Sequence, residues 1–511
     1  MDVLEAAGRP RRPWLFAAAA AVAVLALIPV AYLVVRVAEA GPEAIVDTLL
    51  RPKVAESAGL TISLAATVGI SCLVLGTVSG WVLARVRLPA QRAWLVLAVL
   101  PLAVPSYLAA YGWLVIAPSL TGFVPSWFVL TMVCTPYVTL PVAAVLRTAS
   151  RDLEAVARSL GRSPTHVFAS ITWPRIAPAA AAGTLLAVLY TMSDFGTVSM
   201  FRLPTLTWGV HAAYSGSFDR SQAAILSCVL VALALVVVAA ERVARRHGVP
   251  PGGASVAPTI PVRFGNVPAI TVALLAPLLG VALPLSGLAI RLMQAETLRS
   301  VDPGRLLAAV GWTFALAAAA AVVTVALGVP VAALAVRRAG IATRALESAA
   351  LVGHAVPGIV VGLSLVFFTL AVVPGIYQTA VVLVFAYLVL FLPRAVGPTR
   401  VAVGTVSPGI VDAARSLGVG RAGVWRRVVV PLASPGLGVA VLLVAISVMK
   451  ELPATLLLRP TGVSTLATEL WSRTAAVEFG AAAPYAAALV VVAAIPAVIL
   501  SGVGVSRGED R

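Results

Sequence analysis

The chain has 511 residues, 60% of them apolar and only 11% charged, and its mean hydropathy is +1.01. An average soluble domain carries roughly a quarter charged residues, so a water-soluble multidomain enzyme is excluded, because its surface could not be hydrated. The net charge of +17 would suit a nucleic-acid partner, yet no basic run carries interleaved stacking aromatics, and arginine-rich loops beside apolar runs obey the positive-inside rule instead.

Spanning a bilayer takes about 20 mainly apolar residues. The first such run covers 13–35. Arg9, Arg11 and Arg12 before it imitate a signal-peptide flank, but the run is too long and lacks an obvious small-residue cleavage site, so it reads as a retained span. Next comes 57–84, then 93–146, which is long enough for two spans parted near Pro118–Pro125. Runs at 176–193 and 221–240 follow. The segment 241–266, with VPPGGASVAPTIPV, reads as an extended linker. Beyond it lie 264–290, 306–336, 348–393 (two spans parted near Pro374–Gly375), 428–449 and 479–506. The reading is an all-α polytopic membrane protein with about twelve transmembrane helices. Cys72, Cys134 and Cys228 have no CxxC pairing and no neighbouring His, and read as small buried hydrophobes.

Placing the N-terminus in the cytoplasm puts 26 of the 37 Lys and Arg residues on the inner side, including Arg147 to Arg175 and Arg394 to Arg427. That bias sets both termini inside. No loop is long enough for a soluble domain.

Two copies of one unit make up the chain. Thr61, Gly76, Arg85, Pro105 and Pro141 recur 252 residues later as Thr313, Gly328, Arg337, Pro357 and Pro393. After a five-residue insertion the offset is 257: Arg158-Ser159-Leu160-Gly161 returns as Arg415-Ser416-Leu417-Gly418. Spaced Gly, Pro and Arg do not match by chance as Ala and Val would. The domains expected are a first half at 1–240, a cytoplasmic linker at 241–266 and a second half at 267–511. Parallel repeats of this kind form two bundles with a pathway between them.

The loops at 152–178 and 410–435 carry the sharpest pattern. Each opens on an apolar helical stripe, Leu153, Val156, Ala157 and Leu160 or Ile410, Ala413, Ala414 and Leu417, broken by Gly161 or Gly418. A second short stripe follows, with Val167, Phe168 and Ile171 or Val424, Trp425 and Val428, and Pro174 or Pro431 is expected to end it. Pro178 and Pro435 close the two loops. Two short amphipathic helices would make a knob on the membrane face; the alternative is a helix lying at the lipid interface.

These residues resemble the EAA loop of binding-protein-dependent ABC importer permeases (type I importers), in which the loop docks on a cytoplasmic ATPase. The second copy fits, with Asp412-Ala413-Ala414 six residues before Gly418 ends its count. The first departs: Glu154 lies seven residues before Gly161, and Ala155 takes the acidic position. Two halves fused in one chain resemble the ferric-iron importer permeases, with thiamine importers as near relatives. Ser193-Asp194-Phe195-Gly196-Thr197-Val198, Lys450-Glu451-Leu452-Pro453-Ala454-Thr455-Leu456 and Arg459-Pro460 match the iron-type pattern. The resemblance implies ATPase coupling through Glu154, Gly161, Phe168, Pro174, Pro178, Asp412, Gly418, Trp425, Pro431 and Pro435. It also implies an ATPase dimer inside, a substrate-binding protein outside, and ATP consumed by the partner.

Asp194 and Glu451 hold equivalent repeat positions about two-thirds through spans five and eleven. A carboxylate at such depth costs roughly 2.5–3.5 kcal/mol at a helix centre. Either the two acids, with Ser193 and Lys450, line the translocation pathway and draw a cation, or they are satisfied locally, Glu451 by Lys450 or both as helix caps. His354 reads as a helix residue bonded to a carbonyl rather than a metal ligand. Trp208, Tyr214, Phe218, Trp471 and Phe479 in the outside segments read mainly as an interfacial belt, with docking of a binding protein as the alternative.

Lys53 follows Pro52 and Lys450 follows Met449, so the Gly-Lys-Ser/Thr phosphate loop is lacking. The expectation is a non-enzymatic permease subunit of an ATP-driven importer in the inner membrane of a prokaryote. Ferric iron is the first substrate reading, and thiamine or a phosphonate the alternative. A twelve-span transporter driven by an ion gradient is the competing class; a non-transporting scaffold is the third.

Overall fold

The computed structural model describes residues 13–148, 152–216, 219–246, 260–261, 264–294, 297, 301–337 and 340–505. Backbone in lipid must satisfy its own N–H and C=O groups, and a helix does so within one segment. Among the described residues ten helices are long and apolar enough to cross a bilayer: Pro13–Leu49, Pro52–Arg85, Phe123–Thr148, Pro164–Ser193, Arg220–Ala244, Val267–Leu292, Pro303–Val336, Ala380–Gly404, Ala422–Met449 and Phe479–Pro496.

One further span is broken. Helices Gln91–Ala103 and Ser106–Ile116 meet at 89°. Pro105 causes the break, since the residue before a proline is driven to extended backbone; Val104 has φ −86° and ψ 125°. At the repeat-equivalent place Ile341–Ala350 and Gly358–Val372 flank Pro357. With the bent pair taken as one span, the described residues hold eleven candidates, and the shorter apolar helix Gly358–Val372 stands where the twelfth was expected. The interruptions near Pro118–Pro125 and Pro374–Gly375 do part neighbouring helices. The bend at Pro105 and the helix break before Gly358 were not anticipated.

The linker is not extended throughout. Residues 241–246 prolong the helix Arg220–Arg246, because Glu-Arg-Val-Ala-Arg-Arg is built of helix formers. Ile260–Pro261 then pairs in parallel with Val86–Arg87, just past the end of Pro52–Arg85. Most of the remaining linker lies outside the described residues, as do Arg9, Arg11, Arg12 and the last six residues.

The chain divides into two compact units that are not the two sequence halves. One contains Ala308–Thr465 together with the described parts of Met1–Val35 and Val492–Arg511. The other contains Arg36–Leu307 and Leu466–Val491. In the former, Leu15, Ala19, Val22, Ala23 and Ala26 of the first helix pack on Val331, Ala332, Leu392, Val396 and Val403. In the latter, Leu64, Val68 and Cys72 meet Leu130, Cys134, Val138, Val142, Ile176 and Ala180. Cys72 and Cys134 are thus small core residues, while Cys228 is half-buried.

Close approach in this second core depends on glycine. A Cβ on Gly183 would lie 2.3 Å from the Tyr137 carbonyl, and one on Gly76 would lie 2.5 Å from Val138 Cβ. Small residues of this kind let spanning helices touch backbone to backbone.

Candidate functional site: two loop knobs and two buried acids

Each EAA-like loop folds as a helix, a left-handed glycine and a second helix. In the first copy Asp152–Ser159 ends at Gly161, whose φ is +78°. Gly161 N donates to the Arg158 carbonyl and Arg162 N to the Ala157 carbonyl, the paired bonds of a glycine-terminated helix. In the second, Pro408–Ser416 ends at Gly418, with φ +79° and the matching bonds from Gly418 N to Arg415 and Val419 N to Ala414. Open space surrounds the position of a Cβ at both glycines. Only the backbone angle therefore demands glycine. Gly161→Ala and Gly418→Ala should each destabilise by about 1–2 kcal/mol, measured by thermal unfolding of the purified protein. A neutral result would mean that the turn relaxes without loss.

The second helix of each knob does not stop at its proline. From Pro164 the helix passes through a wide π turn, Phe168–Thr172, into Trp173–Ser193. The second copy repeats this with Trp425–Val429 and Val430–Met449. Pro174 and Pro431 fall directly after the π turn, where the widened coil leaves room for the pyrrolidine ring and needs no N–H at that place. The expectation that these prolines end the helix is thereby corrected. The second helix of each knob and the span behind it form one continuous rod, with Pro178 and Pro435 inside it.

The apolar stripes point away from the bundle. Leu160 is 76% exposed and Leu417 83%, and Leu153, Val156 and Ile410 are exposed as well. Phe168 is also exposed, whereas its equivalent Trp425 is half-buried against Trp14, at 6.4 Å between ring centroids.

The two acids of the motif face opposite ways. Asp412 is 71% exposed on its side chain, with Arg415 Nη1 3.5 Å away. Glu154 is buried. Its Oε1 accepts from Arg85 Nη2 and from Thr172 Oγ1, both at 3.1 Å, and Arg85 is itself buried. One residue of shift on a helix rotates a side chain by about 100°, and that rotation turns the acid inward. The residues of the second copy that correspond to Glu154 and Thr172 are Val411 and Val429, both in an apolar cluster with Val406, Val424 and Ala433. A polar anchor in one knob is thus an apolar anchor in the other.

Asp194 and Glu451 do not lie within helices. Each follows the end of a rod, at Ser193 or Met449, and caps the short helix beyond it. Asp194 Oδ1 accepts from Thr197 N at 2.8 Å, Oδ2 accepts from Ser106 Oγ, and its carbonyl accepts from Thr207 Oγ1. Glu451 Oε1 accepts from Ala454 N, and Oε2 from Thr455 N and Thr455 Oγ1; Tyr387 Oη lies 2.8 Å from that same hydroxyl. Each acid thus accepts from backbone N–H groups in the first turn of a short helix. Ser193 and Lys450, beside the acids, are half-buried.

Trp471 joins a cluster beyond Asp194, 5.7 Å from both Phe195 and His211, and donates from Nε1 to Ser199 Oγ. It is a packing residue rather than part of an interfacial belt. Burial among these rings pushes the His211 pKa below the usual imidazole value. Trp208 is exposed; Phe218 and the His354 side chain lie outside the described residues. Arg85, Thr172, Ser106, Gly358 and Tyr387 were not singled out as site residues from sequence. Arg85 and the flanking prolines of Ser106 and Gly358 did stand out as repeated positions.

Residues 73–249 and 324–504 each match the family described as binding-protein-dependent transport system inner membrane component. The chain belongs to that family. It is a fused two-half ABC importer permease, multi-pass in the inner membrane. The permease is 32% identical over 505 residues to the Fe(3+)-transport system permease protein FbpB 2 of Haemophilus influenzae, covering 96% of this chain and 99% of the relative. The putrescine transport system permease protein PotI of Escherichia coli is 30% identical over 31% of the permease and 60% of its own length. The molybdenum transport system permease protein ModB of Mycobacterium bovis is 30% identical over 35% of the permease and 75% of its own length.

Proposed function

We propose that this permease imports ferric iron, delivered by an external binding protein, and that a separate cytoplasmic ATPase dimer drives it by docking on the two knobs. The observation that carries the reading is the duplicated knob: an outward apolar stripe on a first helix, turned by a left-handed glycine into a second helix that runs through a π turn into a spanning helix. A rod of that form passes a push at the membrane face into the bundle, as alternating access requires. A gradient-driven transporter has no use for such a pair. Iron as cargo rests on the full-length similarity to the Haemophilus influenzae permease. Relatives named for putrescine and molybdenum match only part of the chain. The arginine bias supports cytoplasmic termini, and ATP is bound by the partner, not by this chain.

The test is uptake into vesicles holding the permease with the ATPase and binding protein encoded beside it. Ferric iron should accumulate only with ATP, and the ATPase should co-purify with the wild type but not after joint replacement of Asp412 and Gly418. Uptake driven by an ion gradient without ATP would overturn the reading.

A further inference from the structure

The geometry points to Asp194 and Glu451 as positioning residues: joints that fasten each knob-bearing rod to the short helices beyond it, and not cargo ligands. The inference rests on the importer reading above. Asp194 ties four chain segments together: the rod ending at Ser193, the helix Gly196–Met200 through Thr197 N, the bent helix Ser106–Ile116 through Ser106, and Leu206–Ser215 through Thr207. Glu451 ties the rod ending at Met449 to Pro453–Leu458 through Ala454 and Thr455, and Thr455 reaches Tyr387 of Ala380–Gly404.

The two joints differ by a compensated exchange. In the first, a short acid meets a serine. In the second the acid is one methylene longer, and the position equivalent to Ser106 is Gly358. A Cβ on Gly358 would stand 2.9 Å from Glu451 Oε1, an oxygen already held by Ala454 N. Side-chain length at one position and space at the other are therefore matched within each half. Residues free to reach for cargo need no such matching; residues closing a joint do.

Hydrogen-bond direction separates the joint from a charge-based role. Asparagine at 194 keeps an oxygen for Thr197 N and offers an N–H to the Ser106 hydroxyl, so both bonds survive. Glutamine at 451 turns an amide NH2 toward Thr455 N, donor against donor, and one bond is lost.

The experiment measures iron imported per ATP hydrolysed, together with melting temperature, for wild type and variants. Asp194→Asn should stay within about two-fold of wild type, while Glu451→Gln and Asp194→Ala should lose about ten-fold in uptake, as expected for a stranded buried donor. ATP hydrolysis should continue in the last two. Asp194→Glu and Gly358→Ser should each be impaired; adding Ser106→Gly to the first and Glu451→Asp to the second should restore coupling and melting temperature. Equal loss of uptake in both amide variants, or failure of both added substitutions to restore, would overturn the joint. Should wild type show no ATP-driven iron uptake, the importer reading fails, and restored or unrestored melting temperatures still decide the pairing.

Discussion

Replacing Glu154 by alanine is expected to destabilise the permease by about 3–5 kcal/mol, the cost of removing one member of a buried ion pair. Arg85 is only 2% exposed, and Glu154 Oε1 sits 3.1 Å from its Nη2. Desolvating a guanidinium without a counter-charge costs more than any exposed ion pair gains. The second copy shows what two of these positions tolerate instead, since Val411 and Val429 replace Glu154 and Thr172 while Arg337 keeps the arginine. The triple variant Arg85→Met, Glu154→Val, Thr172→Val should therefore recover most of the loss, because an apolar set of similar volume replaces the ionic one. Chemical or thermal unfolding in detergent measures both. If the triple variant is as unstable as Glu154→Ala, the polar anchor has a role that packing cannot fill. If Glu154→Ala alone is neutral, the ion pair contributes nothing.

Charging the outward stripes should break the complex while leaving the permease folded. Leu160→Asp and Leu417→Asp place a carboxylate at 76% and 83% exposed positions, so the isolated chain has little packing to lose. Anchors at the centre of a docking surface typically cost 2 kcal/mol or more on truncation, about thirty-fold in affinity. Each single variant should weaken ATPase retention by about that factor, and the double variant should abolish it. Uptake should fall in parallel with unchanged melting temperature. Retention of the ATPase by the double variant would place the docking surface elsewhere.

Much of this architecture was legible in the sequence because glycine, proline and arginine mark places where backbone or charge has few options. Gly161 and Gly418 announced helix breaks, and the structure shows them as left-handed turns at φ +78° and +79°. Run length located the ten spanning helices. The bend at Pro105 and the break at Pro357 escaped notice although both prolines had been counted as repeated, because apolar runs continue through them unbroken. The π turns escaped for a related reason: a proline in a helical pattern usually means an end, and only tertiary context shows a widened turn carrying the helix past it. The inward face of Glu154 was implicit in its register against Asp412. Its partner Arg85 was not, since an arginine at a span's end suits topology equally well. Membership of the compact units could not be read at all, because it is set by packing between segments distant along the chain.

That last feature bears on how the polypeptide is made. The first helix finds its core partners, Val331 to Val403, about 300 residues further along. At synthesis rates of roughly 5–20 residues per second, it must wait in the bilayer for about 15–60 s before they exist. The other unit closes only once Leu466–Val491 has emerged. Neither half can be finished while the ribosome is still on the linker, so maturation of this permease is a late event, completed near the end of translation rather than half by half.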